Sequence, residues 1–260
     1  MEDLVSIIMP TYNAKIFLKD SIEGIIGQTY TNWELLITDD CSTDESVLAI
    51  LREYAQKDSR IRLFFLEENK GCGVARNNSI RAARGRYIAF CDSDDIWVPN
   101  KLEKQIAFLR EKQICLTFSS YYLLDAENKI FGEVKAPKSL TLGQLKRDNK
   151  IGCSTAIYDT RFFGKFYMPP MRKRQDWAMF LNLLKKCGSC QSLSEPLVYY
   201  RVRQGSVSRK KLTLVKYNIE VYRVVFGYSY FVSILYFLFL FLPTYGLKKI
   251  RQMVSLPYQK

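Results

Sequence analysis

A chain of 260 residues that is 48% hydrophobic can bury a substantial core as one large domain or two small ones. Its formal net charge is +13, yet between Arg201 and Lys260 there are 11 Lys and Arg against a single acid, Glu220, so the excess belongs to the tail. Positive charge gathered beside an apolar run, and not spread over a groove, excludes nucleic acid as a partner and points to anionic lipid headgroups.

In chain order, β-rich runs at 5–9, 33–38, 61–66 and 87–91 alternate with helical patterns at 17–27, 44–56 and 74–83. This βαβαβαβ order predicts an α/β fold, a mainly parallel central sheet flanked by helices with right-handed crossovers. Thr43 supplies a start for the second helix and Gly85 a stop for the third. Each strand empties into polar or acidic residues: Pro10-Thr11-Tyr12-Asn13, Asp39-Asp40-Cys41-Ser42, Glu67 to Gly71, and Asp92-Ser93-Asp94-Asp95. Ligands of open α/β sheets bind beyond the carboxyl ends of the strands, so the four segments are expected to share one crevice. The three carboxylates after 87–91 offer hard oxygen ligands for Mg²⁺ or Mn²⁺. Further on, a helix is expected at 100–112, strands at 114–124, after the turn 125–129 and at 152–158, and a helix at 176–186.

Residues 224–247 form an uncharged run rich in Phe, Leu, Tyr and Val, bracketed by Arg209, Lys210, Lys211, Lys216 and Arg223 before and Lys248, Lys249 and Arg251 after. A span needs about 20 residues. Basic residues on both sides, the interruptions Gly227 and Pro243, and several Tyr favour a segment lying in or dipping into one leaflet, with a true span and a buried core helix as the other two readings. The acidic Met1-Glu2-Asp3 start is unlike a secretory signal. Seven Cys, an odd number, suit reduced cytosolic thiols, and Cys187-Gly188-Ser189-Cys190 lacks the two further ligands a zinc site requires, the chain having no His.

These motifs together resemble family 2 inverting glycosyltransferases of the bacterial surface-polysaccharide type, whose nucleotide-sugar-binding fold is the Rossmann-like GT-A type. The resemblance covers residues 5–208 and rests on the run from Val5 to Asn13, Asp39 to Asp44, Asn69 to Asn77, Asp92 to Asp95, Gln175-Asp176-Trp177 and Tyr200 to Ser208. It implies a transferase domain at 1–208, with a nucleotide-binding half at 1–98 and an acceptor half at 99–208, and the composition of the rest makes 209–260 a basic, apolar membrane-associating tail. It further implies that Pro10, Thr11 and Tyr12 meet the uracil of a UDP-sugar, that Asp39 or Asp40 accepts from the base edge, and that Arg76 approaches the nucleotide. Asp92 and Ser93 would face the ribose, and Asp94, with Asp92, would hold Mn²⁺ or Mg²⁺. Asp176 would be the base that deprotonates the acceptor hydroxyl. The implied activity moves a hexosyl or N-acetylhexosaminyl group to a growing, lipid-linked glycan of lipopolysaccharide, O-antigen or capsule. Its place would be the cytoplasmic face of the inner membrane.

Three departures stand out. The pair before Trp177 is Gln175-Asp176 where the family more often has two acids. A His that many relatives carry near Arg203 is absent, which leaves Arg201 and Arg203 as possible diphosphate contacts. Cys41 occupies a position where Gly is usual, tolerable unless the backbone there needs positive φ. Other readings fare worse. A dinucleotide fingerprint beginning at Gly71-Cys72-Gly73 fails at Arg76 and follows the third strand. A nucleotidyltransferase would want a Gly-rich, Lys-bearing loop after the first strand, and an inactive nucleotide-binding scaffold would not need Asp92, Asp94 and Asp176 intact.

Overall fold

Strand β1 (Val5–Thr11) and strand β2 (Trp33–Asp39) are buried along their whole length, as parallel strands covered on both faces must be. The computed structural model describes residues 3–202 and 211–246. With these strands run α1 (Leu18–Ile26), α2 (Glu45–Lys57), β3 (Ile61–Phe65), α3 (Cys72–Ala82) and β4 (Tyr87–Phe90), in the order the periodicity predicts. Strand β1 pairs in parallel with β2 on one side and β4 on the other, so Ile8 lies between Leu36 and Phe90. The sheet grows one way through β2 and β3 and the other way through β4, which makes the carboxyl ends of β1 and β4 the switch point where ligands bind. Alternate side chains supply two cores. Val5, Ile7 and Met9 pack with Leu18, Ile22 and Ile25 of α1, whereas Ile8 and Phe90 face Ile80 and Trp177 on the opposite side. Each fully buried aliphatic chain contributes roughly 1.5–3 kcal/mol.

The second half continues as β5 (Ile96–Trp97), α4 (Lys101–Lys112), β6 (Leu116–Leu124), β7 (Ile130–Val134), β8 (Ser139–Thr141), α5 (Leu142–Arg147), β9 (Ile157–Asp159), α6 (Thr160–Phe163), α7 (Gln175–Cys187) and β10 (Ser189–Arg201). Among the described residues ten strands form one sheet with the path β3-β2-β1-β4-β9-β6-β10-β5, β7 lying on β6 and β8 on β10. The sheet is therefore mixed, not parallel throughout: β9 enters antiparallel between β4 and β6, although β6 and β10 again run parallel.

Several local expectations need correction. The cap of α2 is Asp44, which accepts from Ser46 N at 2.9 Å, and not Thr43. Helix α3 ends at Ala82, so Gly85 is no helix stop; a Cβ there would sit 2.6 Å from Ser6 N and 2.7 Å from Leu4 O. Glycine is needed at that place because two backbones touch. Of the strand expected at 152–158 only the end pairs, as β9, because Trp97 Nε1 and Gln105 Nε2 donate to the carbonyls of Ser154 (3.1 Å) and Thr155 (2.9 Å) and hold residues 153–155 in a tight turn. Cys187 and Cys190 fall on either side of a turn at Gly188 (φ +74°), one closing α7 and the other buried in β10.

In the tail, α8 (Lys211–Phe226) turns at Gly227 into α9 (Tyr230–Tyr236), which runs on through a wide turn at Phe237–Phe241. No single helix among the described residues is long and apolar enough to cross a membrane, while the pair Leu214–Phe226 and Tyr230–Gly246, bent by 115°, passes that test only together. Half of this apolar material is core. Tyr222 and Phe241 pack on Trp177 of α7 with ring centroids 5.9 and 5.7 Å apart. The Lys146 ammonium sits over Tyr236 at 3.9 Å and Phe226 at 4.4 Å and bonds Tyr228 Oη at 2.9 Å. Tyr230, Phe231, Leu238 and Phe239 face outward. Arg209, Lys210, Lys248, Lys249 and Arg251 lie outside the described residues.

Tyr222→Ala removes a ring from the Trp177 contact and a hydrogen bond to Lys146 O, and is expected to cost about 3–5 kcal/mol in urea unfolding. Tyr222→Phe should cost about 1 kcal/mol. A negligible loss in the Ala variant would show that the tail only rests on the domain. A second measurement concerns Lys101, fully buried on α4 with its ammonium over the Trp97 ring at 4.0 Å. Burial pushes its titration from 10.5 down to about 7. Between those values the unfolded chain binds the extra proton, so stability falls as pH drops toward 7 and levels off below it. Lys101→Met deletes this penalty, and its advantage over wild type should grow by about 1.4 kcal/mol per pH unit from pH 10 down to pH 7. A difference that stays flat over that range would mean Lys101 keeps its proton in the fold.

Candidate active site

Three loops at the strand ends are tied to one another by short polar bonds. Asn13, in the left-handed region (φ +47°), donates from its backbone N to Ser42 Oγ at 2.8 Å, and its Oδ1 accepts from Thr43 N at 3.0 Å. Asp39 bonds within its own turn, accepting from Ser42 N at 2.7 Å and Ser42 Oγ at 2.5 Å. Cys41 between them has φ +64°, so the backbone does demand the conformation that Gly takes most easily and a side chain here is strained. Asp40 reaches the third loop, accepting from Lys70 N at 2.8 Å and Gly71 N at 2.7 Å. Each carboxylate oxygen keeps a second lone pair for a ligand.

The acidic loop is gripped from behind. Asp95 is 1% exposed and accepts from Ser154 Oγ at 2.5 Å and Arg201 N at 3.0 Å. Burial, and then the neighbouring Asp94 and Asp92, push the Asp95 carboxyl well above its ordinary range. Ser154 Oγ also accepts from Asp92 N at 3.0 Å. Arg201 is buried over the Phe17 ring at 4.0 Å and donates to the carbonyls of Asp94 and Asp125, both at 3.0 Å, and to Asn128 Oδ1 at 2.6 Å. The expectation that Arg201 contacts a diphosphate is therefore corrected: its guanidinium is committed behind the loop and lines no part of the cavity in front of it. Arg203 lies outside the described residues.

In front of the loop a cavity of about 1470 Å³ is lined by Pro10, Thr11, Tyr12, Asp40, Arg76 and Asp92, together with Ser93, Asp94 and Asp176. Asp39 is absent from this wall. The Tyr12 ring is half exposed, and the Thr11 hydroxyl is buried at the wall without a partner. Arg76, 5% exposed, donates to Asp92 Oδ1 at 2.5 Å while its Nε has no partner. A buried donor or acceptor left unmade costs about 1–3 kcal/mol, so both atoms mark places where a polar ligand group would be welcome.

Asp176 comes from the first turn of α7, entered through Arg174 at φ +64°. The N-terminal turns of α3 and α7 meet closely: the Gln175 amide donates to Cys72 Sγ at 2.7 Å, and a Cβ on Gly73 would stand 3.1 Å from Gln175 Cγ. Asn149 donates to Asp176 Oδ2 at 3.1 Å and fixes the carboxylate's orientation. Asn149 and Ser154 were not singled out by sequence, since neither belongs to a motif and Ser154 fell within an expected strand; nor were Leu214 and Thr244 of the tail, which also line the cavity. Among the described residues no three His, Cys, Asp or Glu side chains gather as a metal cluster. The donor set still fits a hard divalent ion, which commonly takes only one or two protein carboxylates and completes its shell with phosphate oxygens.

The profile of glycosyl transferase family 2 matches residues 6–166. A glycosyltransferase of Bacillus subtilis (strain 168) named for teichuronic acid biosynthesis, TuaG, is 40% identical over 223 residues, covering 85% of this chain and 88% of its own. An Escherichia coli protein named UDP-Glc:alpha-D-GlcNAc-diphosphoundecaprenol beta-1,3-glucosyltransferase WfgD is 39% identical over 229 residues, covering 85% and 86%. In fold, the chain is similar to the mannosyltransferase PcManGT of Pyrobaculum calidifontis in complex with GDP-Man and Mn²⁺, with a TM-score of 0.65 at 17% identity over 88% of this chain and 66% of that one.

Proposed function

This chain belongs to glycosyl transferase family 2, and from that premise we propose that it moves one sugar, with inversion, from a UDP-sugar to a hydroxyl of a lipid-linked bacterial glycan. The observation that carries the reading is the convergence of Tyr12, Asp40, Arg76, Asp92, Asp94 and Asp176 on one cavity. Support for the donor and acceptor classes comes from the name of WfgD, which gives a UDP-Glc donor and a diphosphoundecaprenol-linked acceptor for that protein.

In this reading uracil lies against the Tyr12 ring, and its edge bonds the free Thr11 hydroxyl and a lone pair of Asp40. Asp92 and Asp94 would hold Mn²⁺ or Mg²⁺, whose bound form neutralises charge growing on the leaving diphosphate; the PcManGT complex holds Mn²⁺ in the same fold. The Arg76 guanidinium keeps Asp92 in place by a charge-assisted bond, and its unpaired Nε adds positive potential to the wall. The acceptor oxygen forms a bond to the anomeric carbon on the face opposite UDP, the bond from that carbon to UDP breaks, and UDP keeps the electron pair. The hydroxyl proton passes to Asp176, which Asn149 holds ready, for roughly 10²- to 10⁴-fold acceleration. The outward Tyr230, Phe231, Leu238 and Phe239, with the basic residues of the tail, would seat the enzyme on the anionic cytoplasmic face of the inner membrane, as a peripheral or monotopic protein.

Asp176→Asn should keep UDP affinity within twofold while transfer from the UDP-sugar falls at least 100-fold; loss of both, or of neither, would remove Asp176 as the base. Asp94→Asn should lose most Mn²⁺-stimulated turnover, and near wild-type activity in that variant would sink the metal role. A Phe231→Asp/Phe239→Asp pair should move the folded protein from the membrane to the soluble fraction on sedimentation, an outcome that continued pelleting with membranes would contradict.

A further inference from the structure

The cavity wall facing the acidic loop carries more positive charge than the transfer step uses. Arg147 ends α5 and Lys150 follows it, Arg172, Lys173 and Arg174 precede α7, and all five line this wall, where Asp148 and Asp176 are the acids. Arg147 and Lys150 make no ion pair among the described residues and are exposed to the cavity. Arg172 reaches Asn69 Oδ1 at 3.4 Å and Arg174 donates to Asn218 Oδ1 at 2.9 Å. Those neutral partners hold Arg172 against the segment after β3 and Arg174 against α8 without cancelling the charge of either. Like charges gathered in this way raise one another's energy unless an anion lies among them, and the planar fork of Arg suits phosphate oxygens.

Position gives the anion its identity. Segment 147–150 is pinned to the base itself, because Asn149 donates to Asp176 at 3.1 Å. The basic wall thus flanks the point where the attacking hydroxyl must sit. The tail's Leu214 and Thr244 line the same cavity, and the residues leading back from Thr244 through the wide turn to the end of α9 expose Leu242, Phe239, Leu238 and Leu235. A hydroxyl site, then cations, then an apolar path follow the order of a sugar joined through diphosphate to a polyprenyl chain. The donor's own diphosphate is served across the cavity by Asp92, Asp94 and Arg76.

We propose that Arg147, Lys150 and Arg172 form a second anion subsite that holds the diphosphate linking the acceptor sugar to its lipid. The inference rests on the lipid-linked acceptor proposed above. It is tested by calorimetry on the full chain in detergent, with UDP and Mn²⁺ in excess so that the donor position is filled, using geranylgeranyl diphosphate and geranylgeraniol as probes. The diphosphate should bind at least tenfold more tightly than the alcohol. Arg147→Ala/Lys150→Ala, and separately Arg172→Gln, should each weaken the diphosphate at least tenfold while leaving the alcohol and UDP within twofold, the latter also reporting an intact fold. The exposed pair Lys19→Ala/Lys112→Ala, away from the cavity, should change nothing beyond twofold. Equal binding of both probes, unaffected variants, or an equal loss in the Lys19/Lys112 control would overturn the subsite. A transfer assay separates its failure from that of the parent reading. Transfer to a neutral alkyl glycoside but none to the matching sugar-diphosphate lipid sinks the lipid-linked acceptor and the subsite with it. Transfer to the lipid with an unchanged acceptor KM in Arg147→Ala/Lys150→Ala removes the subsite alone.

Discussion

Holding carboxylates together at one strand end, against their mutual repulsion, is the constraint on which the rest of this structure depends. The chain meets it from behind. Asp95 is buried, receives Ser154 Oγ and Arg201 N, and is driven toward its neutral form by burial and by Asp94 and Asp92. One member of the cluster thereby becomes a structural anchor, and the others are presented to the cavity on a loop whose backbone is gripped at Asp92 N and Asp94 O. Water or a mobile side chain could screen the charge, but neither would fix the loop's shape before a ligand arrives.

The second requirement is that a cavity wall built on β1, β2 and β4 face Asp176, which lies about 80 residues farther along the chain. Contact between the first turns of α3 and α7 meets it. Gly73 has no side chain to hold Gln175 away, and the Gln175 amide closes on Cys72. A neutral amide suits this position next to a thiol and beside the Asp176 carboxylate, which accounts physically for the missing first acid of the pair. The tail adds a third support, since Trp177, one residue past Asp176, is covered by Tyr222 and Phe241.

That last contact changes how the tail is understood. Its composition suggested a separate membrane element, whereas α8 and α9 complete the hydrophobic core with one face and expose the other. An apolar run covering 24 residues therefore divides between two environments, with a bend of 115° at Gly227 where a straight span would have continued. Mean hydropathy cannot separate these cases, because a residue facing Trp177 and one facing outward have the same side chain.

The alternation of strands and helices through residue 91, and the crevice at the strand ends with the polar residues that β1, β2 and β4 send into it, were legible in the sequence, because period and turn chemistry are local and each polar cluster follows its own strand; the wall formed by Tyr121, residues 134–137 and residues 147–153 was not. Family membership was legible for the same reason: motifs such as Asp92 to Asp95 and Gln175-Asp176-Trp177 are contiguous. Tertiary structure alone decided which members of those motifs face the cavity. Asp39 and Asp40 are neighbours in sequence, yet one turns its carboxylate to Ser42 and the other lines the wall. Arg201 carries the charge a diphosphate would want but is turned behind the loop by partners at Asp94, Asp125 and Asn128. The direction a side chain takes is set by packing and hydrogen bonds from distant segments, and that information is not local.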